Sequence, residues 1–150
     1  MTVNHSCRWI LLLLFGLLLS TGAPAADKTE FDDYVIHHSA VPSTFISEAM
    51  AEKYNLVRSR SVGLINVSIH ARDGSGLPNA VTARLAGSMI NDAQQRRSLA
   101  FRRIQEGEAI YYLAQFQYRE GRTLTFELQS TPHDSNQSLP VRFSRELYHD

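Results

Sequence analysis

The sequence predicts an all-β fold, an antiparallel sandwich or barrel, and three observations carry that prediction. Short runs alternate apolar and polar residues with a period of two, turn-forming residues fall between the runs, and the runs recur at short spacing. Successive side chains of an extended chain point to opposite faces, so such alternation marks a strand with one buried side.

The clearest run is residues 62–70, where Gly63, Ile65, Val67 and Ile69 share one face and Asn66, Ser68 and His70 the other. Residues 80–85 bring Val81, Ala83 and Leu85 together. Residues 109–118 align Ile110, Tyr112, Ala114, Phe116 and Tyr118, and residues 123–130 align Leu124, Phe126 and Leu128. Residues 98–105 are apolar but less regular. With residues 34–41 at the start and 139–148 at the end, seven strands are expected. Turn chemistry separates them at residues 73–78, 91–92, 106–108 and 119–121. Ile65, Val67, Leu85, Tyr112, Phe116 and Phe126 are the expected core. Residues 27–30 and 132–138 read as flexible connections.

One short helix interrupts the β rhythm. After Pro42, residues 43–55 place Ile46, Met50 and Tyr54 on one helical stripe, with Ser47 as the N-cap and Asn55 as a left-handed stop. A helix of about two turns is marginal alone, so its stripe is expected to pack on the sandwich and close one open end.

The N-terminus reads as a secretory signal peptide. Residues 9–19 are an unbroken apolar run, and Ala23 and Ala25 follow at the spacing of a signal-peptidase site. Eleven such residues make about 17 Å of helix, against a hydrocarbon core of about 30 Å, so a retained anchor is the weaker reading. Cleavage after Ala25 divides the chain into a leader, residues 1–25, and one domain, residues 26–150. Cys7 and Trp9 leave with the leader. The remaining domain has no cysteine, which excludes disulfides, thiol catalysis and thiolate-bound metals from it.

The whole chain carries 15 Lys and Arg against 15 Asp and Glu, and this balance excludes a strongly basic nucleic-acid binder. The charge is segregated all the same. Residues 26–57 hold six acids and two lysines, residues 58–103 eight arginines and two aspartates, and residues 104–150 seven acids and four arginines. Arg58, Arg60, Arg96, Arg97, Arg102 and Arg103 are therefore the candidate binding surface, with salt bridges to the acidic N-terminal segment as their plainer use.

Residues 31–37, 42–45, 54–60, 64–68 and 107–112 (FDDYVIH, PSTF, YNLVRSR, LINVS and GEAIYY) resemble domain-of-unknown-function family 4426, a family of exported bacterial proteins. The resemblance covers essentially all of the chain beyond the leader, with Pro42 standing where a polar residue is expected. It implies a periplasmic protein of Gram-negative bacteria with a small immunoglobulin-like β-sandwich, and it brings no catalytic residue. Independently, Tyr111-Tyr112 just after a corner is similar to the tyrosine corner of such sandwiches, one ring in the core and one hydroxyl capping the corner.

No catalytic constellation is legible. Gly74-Ser75-Gly76 lacks the strand-to-helix elbow of a hydrolase serine, and Asp32-Asp33 are neighbours whose side chains diverge. Histidines are the one chemical feature, because neutral imidazole is the commonest metal ligand where thiolates are missing. His37 and His38 point to opposite faces of their strand, so only one can join His70, and His133 would need its loop to reach over.

The expectation is thus a non-enzymatic binding or accessory module of the bacterial envelope, periplasmic or secreted through a cleaved signal peptide. It has no cofactor, an envelope protein or polymer as its partner, no nucleic acid, and no membrane span after cleavage. The reading from another class is a small metal-binding protein or hydrolase built on histidines, with His38 and His70 as ligands.

Overall fold

The computed structural model describes residues 27–149. The apolar run at residues 9–19 and the expected cleavage point after Ala25 lie outside them. Among the described residues no helix is long and apolar enough to cross a membrane.

Among the described residues ten strands form two antiparallel sheets. The first contains β1 (Asp27–Glu30), β2 (Tyr34–Pro42), β3 (Val62–Ala71), β8 (Ala109–Gln117) and β7 (Arg102–Glu106) in that spatial order, with β4 (Asn79–Ala80) paired to the far end of β3. The second runs β10 (Leu139–Glu146), β9 (Thr123–Pro132), β5 (Ala83–Ile90), β6 (Arg96–Ser98). With β1 and β4 set aside, the order β2-β3-β8-β7 facing β6-β5-β9-β10 is the A-B-E-D and C′-C-F-G arrangement of an immunoglobulin-like sandwich.

The alternation predicts the core well. Ile65, Val67 and Ile69 of β3, Ile110, Tyr112, Ala114 and Phe116 of β8, and Leu124, Phe126 and Leu128 of β9 are all buried in one cluster. Leu85 is only half-buried against it. A file of rings crosses the interior: His38 stacks on Phe143 at 4.2 Å, Phe143 on Phe126 at 5.0 Å, and Phe116 meets Phe126 edge-on at 5.0 Å. Gly63 faces this file because nothing larger fits. A Cβ there would lie 2.3 Å from the Phe116 ring.

Three local expectations are corrected. Residues 27–30 are a strand, β1, although they alternate no apolar residues. An edge strand is held by its backbone ladder to β2 and leaves Lys28 and Glu30 in water. The apolar stretch at residues 98–105 is two strands, because Leu99 and Phe101 carry the chain from the second sheet into the first. The helix is also shorter than its stripe predicts.

Ser47 is the N-cap, its hydroxyl accepting the Met50 amide at 3.1 Å, and Asn55 is left-handed at φ 50°. The helix, α1 (Glu48–Lys53), therefore starts after Ile46, which is extended behind a 3-10 turn at Ser43–Phe45. Met50 is 47% exposed, and the packed side is Ala51 with Leu56, Ile46 and Tyr54. These residues cover Leu64 and Leu113 on the outer face of the first sheet, so α1 does not close an end of the sandwich.

Candidate functional site

The histidines divide as strand geometry requires. His38 points inward with Ile36 and Ala40 and is 4% exposed. Its Nε2 lies 3.2 Å from the Thr29 hydroxyl, and its Nδ1 is buried without a partner among the described residues. Burial, then the neighbouring His37, holds His38 below the usual imidazole range, which disfavours the charged ring in the fold. His70 lies on the opposite, outer face, and the expected pairing of His38 with His70 is not formed.

His37 takes that place. Its register partner on β3 is Ser68, which sets His70 diagonally across from it, with ring centroids 5.1 Å apart. Burial, then His37, lowers the affinity of His70 for protons. Two open grooves of about 510 and 830 Å³ meet at this pair, one bounded by Lys28, Glu30 and Arg72, the other by Gln105, Glu108 and Tyr111. His133 lies apart against Thr82, and His149 against Tyr118. Among the described residues no three His, Cys, Asp or Glu side chains converge to hold a metal ion.

The tyrosine pair resolves into one bifunctional residue. Tyr112 is both core ring and cap, its hydroxyl accepting the Ala83 amide at 2.8 Å from across the two sheets. Tyr111 faces the second histidine groove and is 37% exposed.

The six arginines are shared between the sheets rather than gathered. Arg58 reaches Glu48 and the Thr44 carbonyl at 3.4 Å, and Arg102 donates to the Tyr54 carbonyl at 2.8 Å, so both fasten the segment around α1. Arg96 sits on the outer face of the second sheet, bonded to Ser88 and Glu127. Arg96, then Arg142, holds the Glu127 carboxyl below its usual range. Arg60, Arg97 and Arg103 are exposed and pair with no acid among the described residues.

Alternation along β6 turns Arg97 the other way from Arg96, into the mouth between the sheets. There it lines an open cleft of about 720 Å³ with Arg119 and Arg122 from the β8 to β9 turn and Asp92 from the β5 to β6 loop. Charge counting along the chain missed this grouping, because Arg119 and Arg122 belong to the acidic C-terminal third. Only the antiparallel pairing of β5 with both β6 and β9 brings the two loops together.

Comparison with known proteins places this architecture. A crystal structure of a DUF4426 family protein from Pseudomonas aeruginosa is similar at a TM-score of 0.70 and 31% identity, over 83% of this chain and 95% of that one. Two structures of FetP from uropathogenic Escherichia coli strain F11 share the fold at a TM-score of 0.58. One, a copper-bound variant, is 11% identical over 82% of this chain and 95% of that one. The other, recombinantly expressed in the periplasm of Escherichia coli, is 10% identical over 83% and 94%. A search of curated proteins finds no match. The family model for the domain of unknown function DUF4426 matches residues 28–150, and the chain belongs to that family.

Proposed function

We propose that the protein is a non-enzymatic binding or accessory module of the bacterial envelope, exported to the periplasm or beyond, which grips another envelope protein or polymer through its surface. The observation that carries this reading is the sandwich edge made by β6 and β7. Both strands are short, both end their sheets, and they present Arg97 and Arg103 to solvent without acidic partners among the described residues. Unpaired ladder groups beside unneutralised guanidinium groups are what a recognition edge offers.

Photo-crosslinking in intact envelopes tests it. A crosslinker at Arg103 should capture one discrete partner, while the same crosslinker at Arg84, on β5 of the second sheet, should not. Equal capture at both positions, or none at Arg103, overturns the reading.

A second reading, metal binding, is favoured by one observation, the imidazoles of His37 and His70 at 5.1 Å, in a fold shared with a copper-bound FetP variant. Both rings come from rigid paired strands, and a neutral His70 is the form that ligates. Copper titration followed by optical spectroscopy tests it: a spectrum lost in His37→Ala and His70→Ala but kept in His133→Ala supports this site.

A further inference from the structure

We propose that the cleft between the β5 to β6 loop and the β8 to β9 turn is a binding site for an acidic peptide, with Arg97 and Arg119 taking its carboxylates. The proposal rests on the binding-module reading and names the site and the chemistry of its partner.

The groove carries an excess of positive charge. Arg97, Arg119 and Arg122 line one groove against a single carboxylate, Asp92, and that carboxylate is engaged with Arg122 at 3.1 Å. Arg97 and Arg119 make neither an ion pair nor a side-chain hydrogen bond among the described residues. Two planar guanidinium groups in one concave place, with no carboxylate of their own, match carboxylates that arrive from outside.

The groove is also held rigid by its own hydrogen bonds. The side-chain oxygen of Asn91 accepts the Ala93 and Gln95 amides at 3.0 and 2.9 Å, and its amide donates to the Gln95 side chain at 2.9 Å. The Arg122 to Asp92 pair ties this loop to the opposite turn, and the Gly121 amide donates to the Leu147 carbonyl at 3.0 Å. Both walls are therefore set before a ligand comes, which lowers the ordering cost of binding.

The rest of the lining favours a peptide over a phosphate polymer. Beneath the rim lie Met89, Tyr118 and Leu124, an apolar floor, and beside the arginines stand the Gln117 amide and the Ser61 hydroxyl, groups that both donate and accept. A phosphate chain offers acceptors only, so it leaves the accepting oxygens of Gln117 and Ser61 without a donor. A peptide offers carboxylates to the arginines, amide groups to Gln117 and Ser61, and aliphatic stems to the floor.

The experiment titrates the exported protein with a fluorescent glutamate-rich peptide and, in parallel, with the same peptide carrying glutamine for glutamate, and with polyphosphate. The glutamate peptide should bind at least about tenfold tighter than its glutamine counterpart and should weaken as salt rises. The R97E/R119E variant should lose about tenfold or more of that affinity, the milder R97Q/R119Q a smaller share, and R84E, on another face, almost none. The glutamine variant carries the test if charge reversal prevents folding. Unchanged affinity in R97Q/R119Q, an equal loss in R84E, or tight binding of polyphosphate alone would overturn the proposal. Envelope crosslinking separates this failure from that of the broader reading: a partner captured equally by wild type and R97E/R119E leaves the binding module standing and removes the cleft.

Discussion

The hydroxyl of Tyr112, from β8 in the first sheet, accepts the backbone amide of Ala83 in the second sheet at 2.8 Å, inside the core. The bond pins the start of β5 against β8 where the ring itself is packed. Tyr112→Phe keeps the ring and strands the Ala83 N–H without water. The expected cost is about 1–3 kcal/mol, read from the shift in urea midpoint at unchanged slope.

Phe116 fills the space that Gly63 leaves. Phe116→Ala should cost about 3–5 kcal/mol, in a domain expected to be stable by only about 5–15 kcal/mol. Gly63→Ala should cost about 1–3 kcal/mol by overpacking. Combined, Gly63→Ala with Phe116→Ala should cost less than the two separately, because the smaller side chain removes the clash. Strict additivity in chemical denaturation would mean that the two positions do not touch.

Acid should weaken the fold through its buried imidazole. His38 is held below its ordinary range in the folded state by burial and then by His37, while in the unfolded chain it titrates near about 6.5. Protons therefore bind the unfolded state first. Stability should be level above about pH 7 and should decline as the pH falls through about 6.5 towards 5, before the carboxylates begin to titrate. His38→Phe should flatten that limb, part of which remains with His70, whose shift has the same sign. Urea midpoints measured across this window check it.

Arg102 and Arg103 are neighbours with different duties. Arg102 donates to the Tyr54 carbonyl at the end of α1, and Arg103 contacts no acid among the described residues. Arg102→Glu should lower the thermal midpoint, whereas Arg103→Glu should leave it almost unchanged and weaken partner capture. The reverse order of the two midpoints would misplace α1.

If export proceeds by cleavage after Ala25, the periplasmic protein begins Ala26-Asp27-Lys28 and lacks both Trp and Cys. Intact mass of the exported form decides this, and a full-length membrane-retained species would overturn it.

The strands were legible in the sequence because β3, β8 and β9 each bury one face, and burial of one face writes a period of two. β1 was not, since an edge strand held by backbone bonds on one side imposes no such pattern. The helix cap and stop at Ser47 and Asn55 were local chemistry and could be read. The packed side of α1 was not, because the choice between Met50 and Ala51 depends on where Leu64 and Leu113 lie. The site divides the same way. Adjacency in sequence separates His37 from His38, but which of them meets His70 follows only from the β2 to β3 register. The cleft arginines, more than twenty residues apart between Arg97 and Arg119, become neighbours only through sheet pairing.

The strand order also governs when the molecule can begin to close. Ile65 pairs with Ala114 and Ala83 with Pro132, so each central partner lies about fifty residues downstream, and such distant pairing belongs to the slow, millisecond-to-second class of folding. A chain emerging from its N-terminus can pair β3 with β2 and β5 with β6 early, but the joins of β3 to β8 and of β5 to β9 wait until β8 and β9 follow. Until then neither sheet is complete, so the interior that Phe116 and Phe126 fill cannot close before the last third of the chain is present.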